Sequence, residues 1–174
     1  RLENTLIVFL SDNGGCAEFL REDGEAGQWP EFYNLPTKSG TRCVVGNNRA
    51  RRPGPAETFM SYELPWANAS NTPFRKFKAW THEGGISTPL IIHWPAGIKE
   101  RNALRTQPGH VADRVRTVMQ LAGASLPDTI DGLAVPPLHG RSLVPVLNDA
   151  GAAPPHESLW FYHDGHRAIR VGDW

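Results

Sequence analysis

The sequence predicts an α/β fold, and three segments carry that prediction. Residues 5–10 form a continuous apolar run rich in β-branched side chains, and residues 89–94 form a second, similar run. Short runs of this kind are typical of strands buried on both faces, as in a parallel sheet under helices. Residues 110–123 place apolar side chains at helical spacing and end at Gly123, a common C-terminal stop. We therefore expect a sheet flanked by helices.

The rest of the sequence predicts one hairpin and one long irregular stretch. Residues 159–162 and 168–171 are predicted strands, joined by a turn around Asp164 and Gly165. Residues 16–74 show no sustained apolar period and carry many Gly, Pro and Asn residues. An irregular segment of that length is usually functional or a poorly ordered insertion. We therefore interpret residues 16–74 as an irregular insertion or pocket wall.

Composition and charge limit the class of protein. The 174 residues are 40% hydrophobic and 21% charged, values in the globular range that exclude wholesale disorder. The 18 basic residues balance 18 acidic ones, so the basic footprint of a nucleic-acid-binding protein is absent. No apolar run approaches the roughly 20 residues that a membrane helix requires. The two cysteines, Cys16 and Cys43, can form at most one disulfide.

Both ends of the sequence lie close to apolar segments. The run at residues 5–10 follows shortly after Arg1, and Trp174 comes directly after the last predicted strand. Domains normally fray into polar residues at their termini. We therefore expect the sequence to be a piece of a longer protein.

The first chemical signal is the sequence Asp12-Asn13-Gly14-Gly15 at the end of the first predicted strand. Ligands in open α/β sheets bind at the carboxyl ends of strands. A carboxylate and a carboxamide there can present hard oxygen ligands to a divalent cation, while the glycines let the chain turn sharply. The alternative is an ordinary Asx turn, because the same residue types dominate turns for local reasons. On these residues alone the turn is favoured.

The second signal is Lys78, which lies before the sequence His82-Glu83-Gly84-Gly85 and the second predicted strand. A lysine near a bound anion supplies a compact positive charge for a sulfate or phosphate oxygen. The alternative is a solvated surface lysine, which is the usual state of this residue type. His82 is more often a hydrogen-bonded loop residue than a metal ligand.

Taken in order, these segments resemble the type I sulfatases, which are arylsulfatase-like enzymes of the alkaline phosphatase superfamily. The resemblance rests on residues 4–15, on Lys78 with residues 83–97, on residues 110–113 with 121–124, on residues 140–143 and on residues 165–174. It covers nearly the whole sequence but only the later part of a sulfatase. It implies an alkaline-phosphatase-like sheet flanked by helices, present in part, and the start of a small C-terminal antiparallel sheet subdomain. Residues 1–150 would belong to the catalytic domain and residues 151–174 to that subdomain.

The resemblance also implies roles for individual residues. Asp12 and Asn13 match the family's Asp-Asn pair, which binds a calcium ion, or magnesium in its place. Lys78 matches the lysine that contacts the substrate sulfate. His163 is similar in position to a histidine that precedes a Gly-Asn-Arg-Ala motif in some relatives, although here His166 replaces the Asn. The alternative for His163 is an exposed turn residue, because turns collect polar side chains.

One expected motif is missing from the sequence. Sulfatases make a formylglycine nucleophile from the Cys or Ser of a Cys/Ser-x-Pro-x-Arg motif. Cys16 is followed by Ala-Glu-Phe-Leu and Cys43 by Val-Val-Gly-Asn, so neither fits. The first acidic metal ligands of the family are absent as well. We expect both to lie upstream, and we expect the isolated sequence to be inactive.

The predicted function is therefore that of part of a sulfuric ester hydrolase acting on sulfate monoesters. Its substrate would be a sulfated small molecule or a sulfated glycan, and the resemblance implies a periplasmic, extracellular or lysosomal location. The aromatic residues of the irregular stretch and its neighbour either stack on a sugar or aryl ring or serve ordinary packing; they are Trp29, Phe32, Tyr33, Trp66 and Trp80. Two alternatives stay open: a phosphodiesterase or phosphonate monoester hydrolase of the same superfamily, and an inactive relative that binds sulfated glycans.

Overall fold

A computed structural model describes residues 1–20 and 35–174 of the chain. Its described helices are α1 (Glu63–Asn71), α2 (Glu83–Ile86), α3 (Asp113–Ala122) and α4 (Val144–Asn148), after a 3-10 turn at Leu2–Asn4. The described strands are β1 (Ile7–Leu10), β2 (Val44–Val45), β3 (Thr58–Phe59), β4 (Leu90–His93), β5 (Thr129–Ile130), β6 (Leu133–Ala134), β7 (Ser158–His163) and β8 (His166–Val171). This mixture of helices and small sheets is consistent with the predicted α/β class.

The chain divides into two compact units. The first unit comprises Arg1–Asp12, Leu90–Phe161 and Arg167–Trp174, and the second comprises Asn13–Pro89 and Tyr162–His166. The first unit contains β1, β4, α3 and α4. The second contains α1, α2, β2 and β3, of which the two strands pair in parallel.

The first unit is built on β1 and β4, and its sheet differs from the predicted one. The two strands are antiparallel, with Val8 opposite Ile92, and not members of a parallel pair. Neither is buried on both faces: Phe9 is 67% exposed and Ile91 58% exposed. The apolar run predicts the strands correctly, but it carries no information on the direction of the neighbouring strand or on how many faces are covered.

The covered face of that sheet packs on the helices of the first unit. A small apolar cavity of about 20 Å³ lies among side chains of β1, β4, α3, α4 and their flanks. Its lining includes Val8, Ile92, Val118 and Leu147. One face of the two-stranded sheet therefore faces α3 and α4, while the side chains of Phe9 and Ile91 are exposed.

Helix α3 confirms the predicted helix but buries a different face. It ends at Gly123, whose positive φ of 63° is the left-handed cap that glycine adopts without strain. The buried residues of α3 are Asp113 and Thr117, whereas Val115 and Val118 are about half exposed. Apolar spacing therefore predicts the helix but not its buried face.

Asp113 is fully buried, and the cost of burying its carboxylate is offset by the backbone and side-chain groups that surround it. Its two oxygens accept hydrogen bonds from the backbone N–H groups of His110 at 2.7 Å and Arg141 at 2.8 Å. His156 Nε2 lies 2.8 Å from one oxygen and 2.9 Å from the other. Thr117 Oγ1 in turn accepts the N–H of Leu143 at 2.9 Å and donates to the Asp113 carbonyl. These residues, called here the Asp113 network, fix residues 140–143 to the start of α3.

The irregular stretch contains more structure than its sequence predicts. Helix α1 lies within it, and the prediction of an irregular segment throughout residues 16–74 is wrong there. Only Ala67 of this helix is buried, so it has no apolar stripe for periodicity to detect. Three of the aromatic residues singled out above, Trp29, Phe32 and Tyr33, lie outside the described residues.

The predicted C-terminal hairpin is confirmed. Strands β7 and β8 pair in a two-stranded sheet around Asp164 and Gly165. Both turn residues have positive φ, 45° and 82°, as the tight turns of hairpins require.

Across the described residues no helix is long and apolar enough to cross a membrane. Cys16 and Cys43 are both free thiols.

Candidate active site

The turn that follows β1 is held by its main chain. The N–H of Gly14 donates to the carbonyl of Gly85 at 2.9 Å, and the N–H of Gly15 donates to Asn71 Oδ1 at 3.0 Å. The amide of Asn71 reaches on to the carbonyl of Lys76 at 3.1 Å. The turn is therefore tied at once to the end of α1, to α2 and to the segment between them.

Glycine is required at three positions because backbones approach closely there. A methyl group on Gly14 would overlap the carbonyl oxygen of Gly84, and one on Gly84 would overlap the carbonyl of Lys76. A methyl group on Gly85 would overlap the carbonyl of Trp80. We call residues 13–15 with Gly84 and Gly85 the glycine-packed turn. Its glycines serve close packing, a role that local turn propensity does not reveal.

Lys78 is anchored to the glycine-packed turn through its backbone. Its N–H donates to the carbonyl of Gly15 at 3.0 Å. Its ammonium forms an ion pair with Glu18 Oε1 at 3.0 Å, and the two side chains are 42% and 62% exposed. The structure thus brings two of the predicted site segments together within the second unit, and it shows the ammonium engaged with an anionic oxygen at the surface. The sequence does not predict Glu18 as the partner of Lys78, because a pairing across sixty residues leaves no local signal.

The two predicted metal ligands follow one another in the chain. Asp12 is exposed at the end of the β1 segment and belongs to the first unit, while Asn13 is half-buried and opens the second. Together they offer oxygen donors, the ligand type that calcium prefers. Calcium takes about six to eight such ligands. Among the described residues no three His, Cys, Asp or Glu side chains cluster as a metal group would require. The donor type fits calcium, but the described residues supply only part of a ligand set.

An aromatic and cationic cluster surrounds Trp80, close in sequence to Lys78. His166 packs on Trp80 with ring centroids 4.3 Å apart and planes tilted by 31°. The ammonium of Lys76 lies 4.2 Å from the centroid of the Trp80 ring, and His82 contacts that ring edge-on at 5.8 Å. Trp80 therefore packs within the protein, which favours the packing alternative given above for this residue. Its partner His166 comes from the hairpin turn, which sequence proximity could not reveal.

His163 lies at the end of β7, in the same unit as Lys78. It is exposed, and its Nε2 lies 3.3 Å from Asp164 Oδ2. The hairpin residue that contacts the Lys78 segment through an aromatic stack is His166, three positions further on. A catalytic role for His163, which its similarity in position to the family histidine implies, stays a prediction.

Comparison with known proteins shows the family. The family model described as Sulfatase matches residues 1–124. An uncharacterized sulfatase of Schizosaccharomyces pombe is 31% identical over 186 residues, which cover 99% of this chain and 29% of the relative. The arylsulfatase of Klebsiella aerogenes is 30% identical over 82% of this chain and 28% of its own length. Human arylsulfatase D is 38% identical over 48% of this chain and 13% of its own.

The chain therefore belongs to the sulfatase family. The glycine-packed turn and Lys78 both lie within the matched residues 1–124, whereas His163 and His166 lie beyond them. The chain spans less than a third of the length of these relatives.

Proposed function

We propose that the chain forms part of the active site of a sulfuric ester hydrolase that cleaves sulfate monoesters. The observation that carries this proposal is the hydrogen bond from the Lys78 N–H to the Gly15 carbonyl at 3.0 Å. It anchors a lysine to the turn that follows Asp12 and Asn13. A family whose members include arylsulfatases supplies the reaction class.

Lys78 would bind the sulfate group of the substrate. Its ammonium is a compact point charge, suited to a sulfate oxygen that gains charge during transfer. The ammonium pairs with the carboxylate of Glu18, and the Lys78 side chain is 42% exposed, which supports access by an anion from solvent. A bound sulfate would take the place of that carboxylate, and the exposed Glu18 can turn away at little cost.

Asp12 and Asn13 would hold part of a calcium site, with magnesium as the alternative ion. When bound, the ion would stabilise negative charge on the transferring group. Asp12 would contribute a charged ligand and Asn13 a neutral one, which limits the negative charge at a site that must admit an anion. By the family resemblance, the remaining acidic ligands would lie in sequence upstream of this chain.

The nucleophile would also come from outside this chain. Neither Cys16 nor Cys43 stands in the motif that yields formylglycine, so we assign that group to an upstream segment. The residues of this chain would bind and orient the sulfate ester for covalent attack. His163 would approach the leaving group from the hairpin. The substrate would be a sulfated small molecule or glycan, in a periplasmic, extracellular or lysosomal compartment.

The test compares Lys78→Ala with Lys76→Ala in the complete polypeptide that the gene encodes, assayed on 4-nitrophenyl sulfate. Loss of one donor to the transition state typically costs about 10²–10³-fold in rate, so kcat/KM should fall by that factor in Lys78→Ala. Lys78→Arg should restore only part of it, because a planar guanidinium cannot occupy the position of a point charge. Lys76→Ala removes a neighbouring charge and should cost only a few-fold. The reverse ranking would show that Lys78 does not bind the sulfate.

The metal assignment has its own test. Asp12→Ala should abolish activity because it removes a charged ligand, while Asn13→Ala should weaken calcium binding and activity less. Equal, near-normal turnover in both variants would overturn the assignment. Bis(4-nitrophenyl) phosphate, assayed in parallel, tests the phosphodiesterase alternative: a preference for that substrate over the sulfate ester would replace the proposed reaction.

A further inference from the structure

A groove in the first unit has no role in the proposed ester hydrolysis. It lies between α3 and the segments 124–128 and 135–142, and its volume is about 1030 Å³. Ligand sites in proteins usually measure about 300–1,000 Å³, so this groove is large enough for a ligand of several rings. All of its lining residues belong to the first unit, whereas Asn13 and Lys78 belong to the second.

The charged lining of this groove is mainly basic. Arg116, Arg141 and His139 line it, and Asp128 is its single acidic residue. Arg116 Nη2 lies 3.4 Å from the carbonyl of Leu138, a contact that leaves most of its guanidinium donors available. Within residues 1–20 and 35–174, no carboxylate forms an ion pair with either arginine. The groove therefore offers cationic donors in a chain whose formal net charge is zero.

The framework that carries these donors is rigid. Arg116 projects from α3, and the backbone N–H of Arg141 is bound by the buried carboxylate of Asp113 at 2.8 Å. A methyl group on Gly140 would overlap the carbonyl of Ala112, so the segment bearing His139 and Arg141 packs directly against the start of the helix. Ligand binding would therefore not have to order the backbone that carries these donors.

The remaining lining defines the chemistry of the ligand. Apolar side chains of Met119, Leu126 and Pro136 offer surfaces for the faces of rings, and Gln120 and Ser125 offer uncharged polar groups. Asp128 would accept hydrogen bonds from hydroxyl groups of the ligand. Cations beside ring surfaces and hydroxyl partners fit a ligand with anionic groups on a hydroxylated ring skeleton.

We propose that this groove binds an acidic oligosaccharide, with its sulfate or carboxylate groups on Arg116 and Arg141 and its rings over the apolar lining. Binding there needs neither Lys78 nor Asn13, so it is independent of ester hydrolysis. In a sulfatase the groove would hold part of a polymeric substrate.

The test is calorimetric titration of the complete polypeptide that the gene encodes with a heparin-derived tetrasaccharide at low and at physiological salt. The double variant Arg116→Ala/Arg141→Ala should weaken the Kd at least tenfold, which corresponds to about 1.4 kcal/mol. Arg101→Ala removes an exposed arginine outside the groove and should leave the Kd within twofold. Near-ultraviolet circular dichroism of the double variant should match that of the parent chain, because both arginines are exposed.

Two results would overturn the proposal. If Lys78→Ala abolished binding while the double variant bound normally, the tetrasaccharide would occupy the candidate active site, and the proposed function would stand without the groove. If a glutamate decapeptide bound as tightly as the tetrasaccharide and with the same sensitivity to Arg116 and Arg141, the groove would recognise charge alone and not an acidic carbohydrate.

Discussion

Two regions of the molecule fix a loop by opposite means. The glycine-packed turn is held by main-chain hydrogen bonds, such as that from Gly14 to Gly85 at 2.9 Å, and by close contact between backbones. The Asp113 network is held by a buried carboxylate and the hydroxyl of Thr117. Together they accept hydrogen bonds from the backbone N–H groups of His110, Arg141 and Leu143. Backbone atoms therefore do most of the fixing in the glycine-packed turn, where Asn71 is the side chain that takes part, whereas a buried carboxylate and a hydroxyl do it in the Asp113 network.

The difference indicates which side chains each region can devote to chemistry. Because backbone atoms, glycines and Asn71 hold the turn after β1, we expect the turn to keep its shape when Lys78 is replaced. Asp113, by contrast, is committed to structure, since its carboxylate lies at the centre of four contacts and is fully buried. Substitutions of side chains should therefore be able to change activity without changing stability at the glycine-packed turn, but not in the Asp113 network.

The largest expected loss of stability is that of Asp113→Ala. Removing the carboxylate leaves the N–H groups of His110 and Arg141 and the ring of His156 without their acceptor. A buried donor left without its acceptor typically costs about 1–3 kcal/mol, and two backbone donors lose theirs here, so we expect a loss of about 3 kcal/mol or more. The measurement is urea unfolding of the variant, followed by circular dichroism.

Asp128→Ala is the matched control for this prediction, since Asp128 is an exposed acid of the same unit. Its unfolding midpoint should stay close to that of the parent chain. A loss below about 1 kcal/mol in Asp113→Ala, the scale of an exposed ion pair, would show that the network does not hold the 140–143 segment.

Gly84→Ala should give the next largest effect and directly challenges the backbone-held region. The added methyl meets the carbonyl of Lys76, which cannot move without breaking the hydrogen bond that Asn71 makes to it. Overpacking of this kind costs about 1–3 kcal/mol. Gly151→Ala places a methyl at ordinary contact distance from the Asp149 side chain and serves as the control. Equal unfolding midpoints for the two variants would contradict close backbone packing at Gly84.

The sequence predicts the elements of this fold better than their surroundings. The two apolar runs, the helix ending at Gly123 and the hairpin at Asp164 all follow from local periodicity and turn chemistry. The antiparallel direction of β1 and β4 does not, because apolar content carries no directional signal. The sequence does not predict helix α1, because Ala67 is the one buried residue of this helix and no apolar stripe results. The apolar spacing also predicts the wrong buried face for α3, because hydrogen bonds allow Asp113 and Thr117 to be buried instead.

For the candidate site, the sequence identifies residues but not their contacts. Residue type and order are enough to identify Asp12, Asn13 and Lys78 as candidate site residues. They do not identify the residues that contact this segment: Glu18 lies sixty positions from Lys78, and His166, which packs on Trp80, lies near the other end of the chain. Such pairs depend on the tertiary fold, and neither periodicity nor turn chemistry encodes them.

Trp80→Ala should cost less than Gly84→Ala. It removes the stack with His166 and the ammonium contact of Lys76, interactions that together contribute about 1 kcal/mol beyond area burial. Trp66→Ala is the control, because Trp66 is 67% exposed and lies in the same unit. Urea unfolding should rank Trp80→Ala below Trp66→Ala in stability. The opposite order would mean that the hairpin turn gains nothing from its contact with the Trp80 ring.

Lys78→Ala should have the smallest effect on stability, although the proposed function assigns it a large effect on activity. Its ion pair with Glu18 is exposed on both sides, and exposed pairs contribute about 0–1 kcal/mol. The backbone bond from residue 78 to Gly15 needs no lysine side chain, so alanine retains it. Urea unfolding of Lys78→Ala and of Glu18→Gln should therefore both lie within about 1 kcal/mol of the parent chain. A loss of several kcal/mol in Lys78→Ala would show that this side chain helps to hold the turn, and any fall in its activity would then reflect folding instead of sulfate binding.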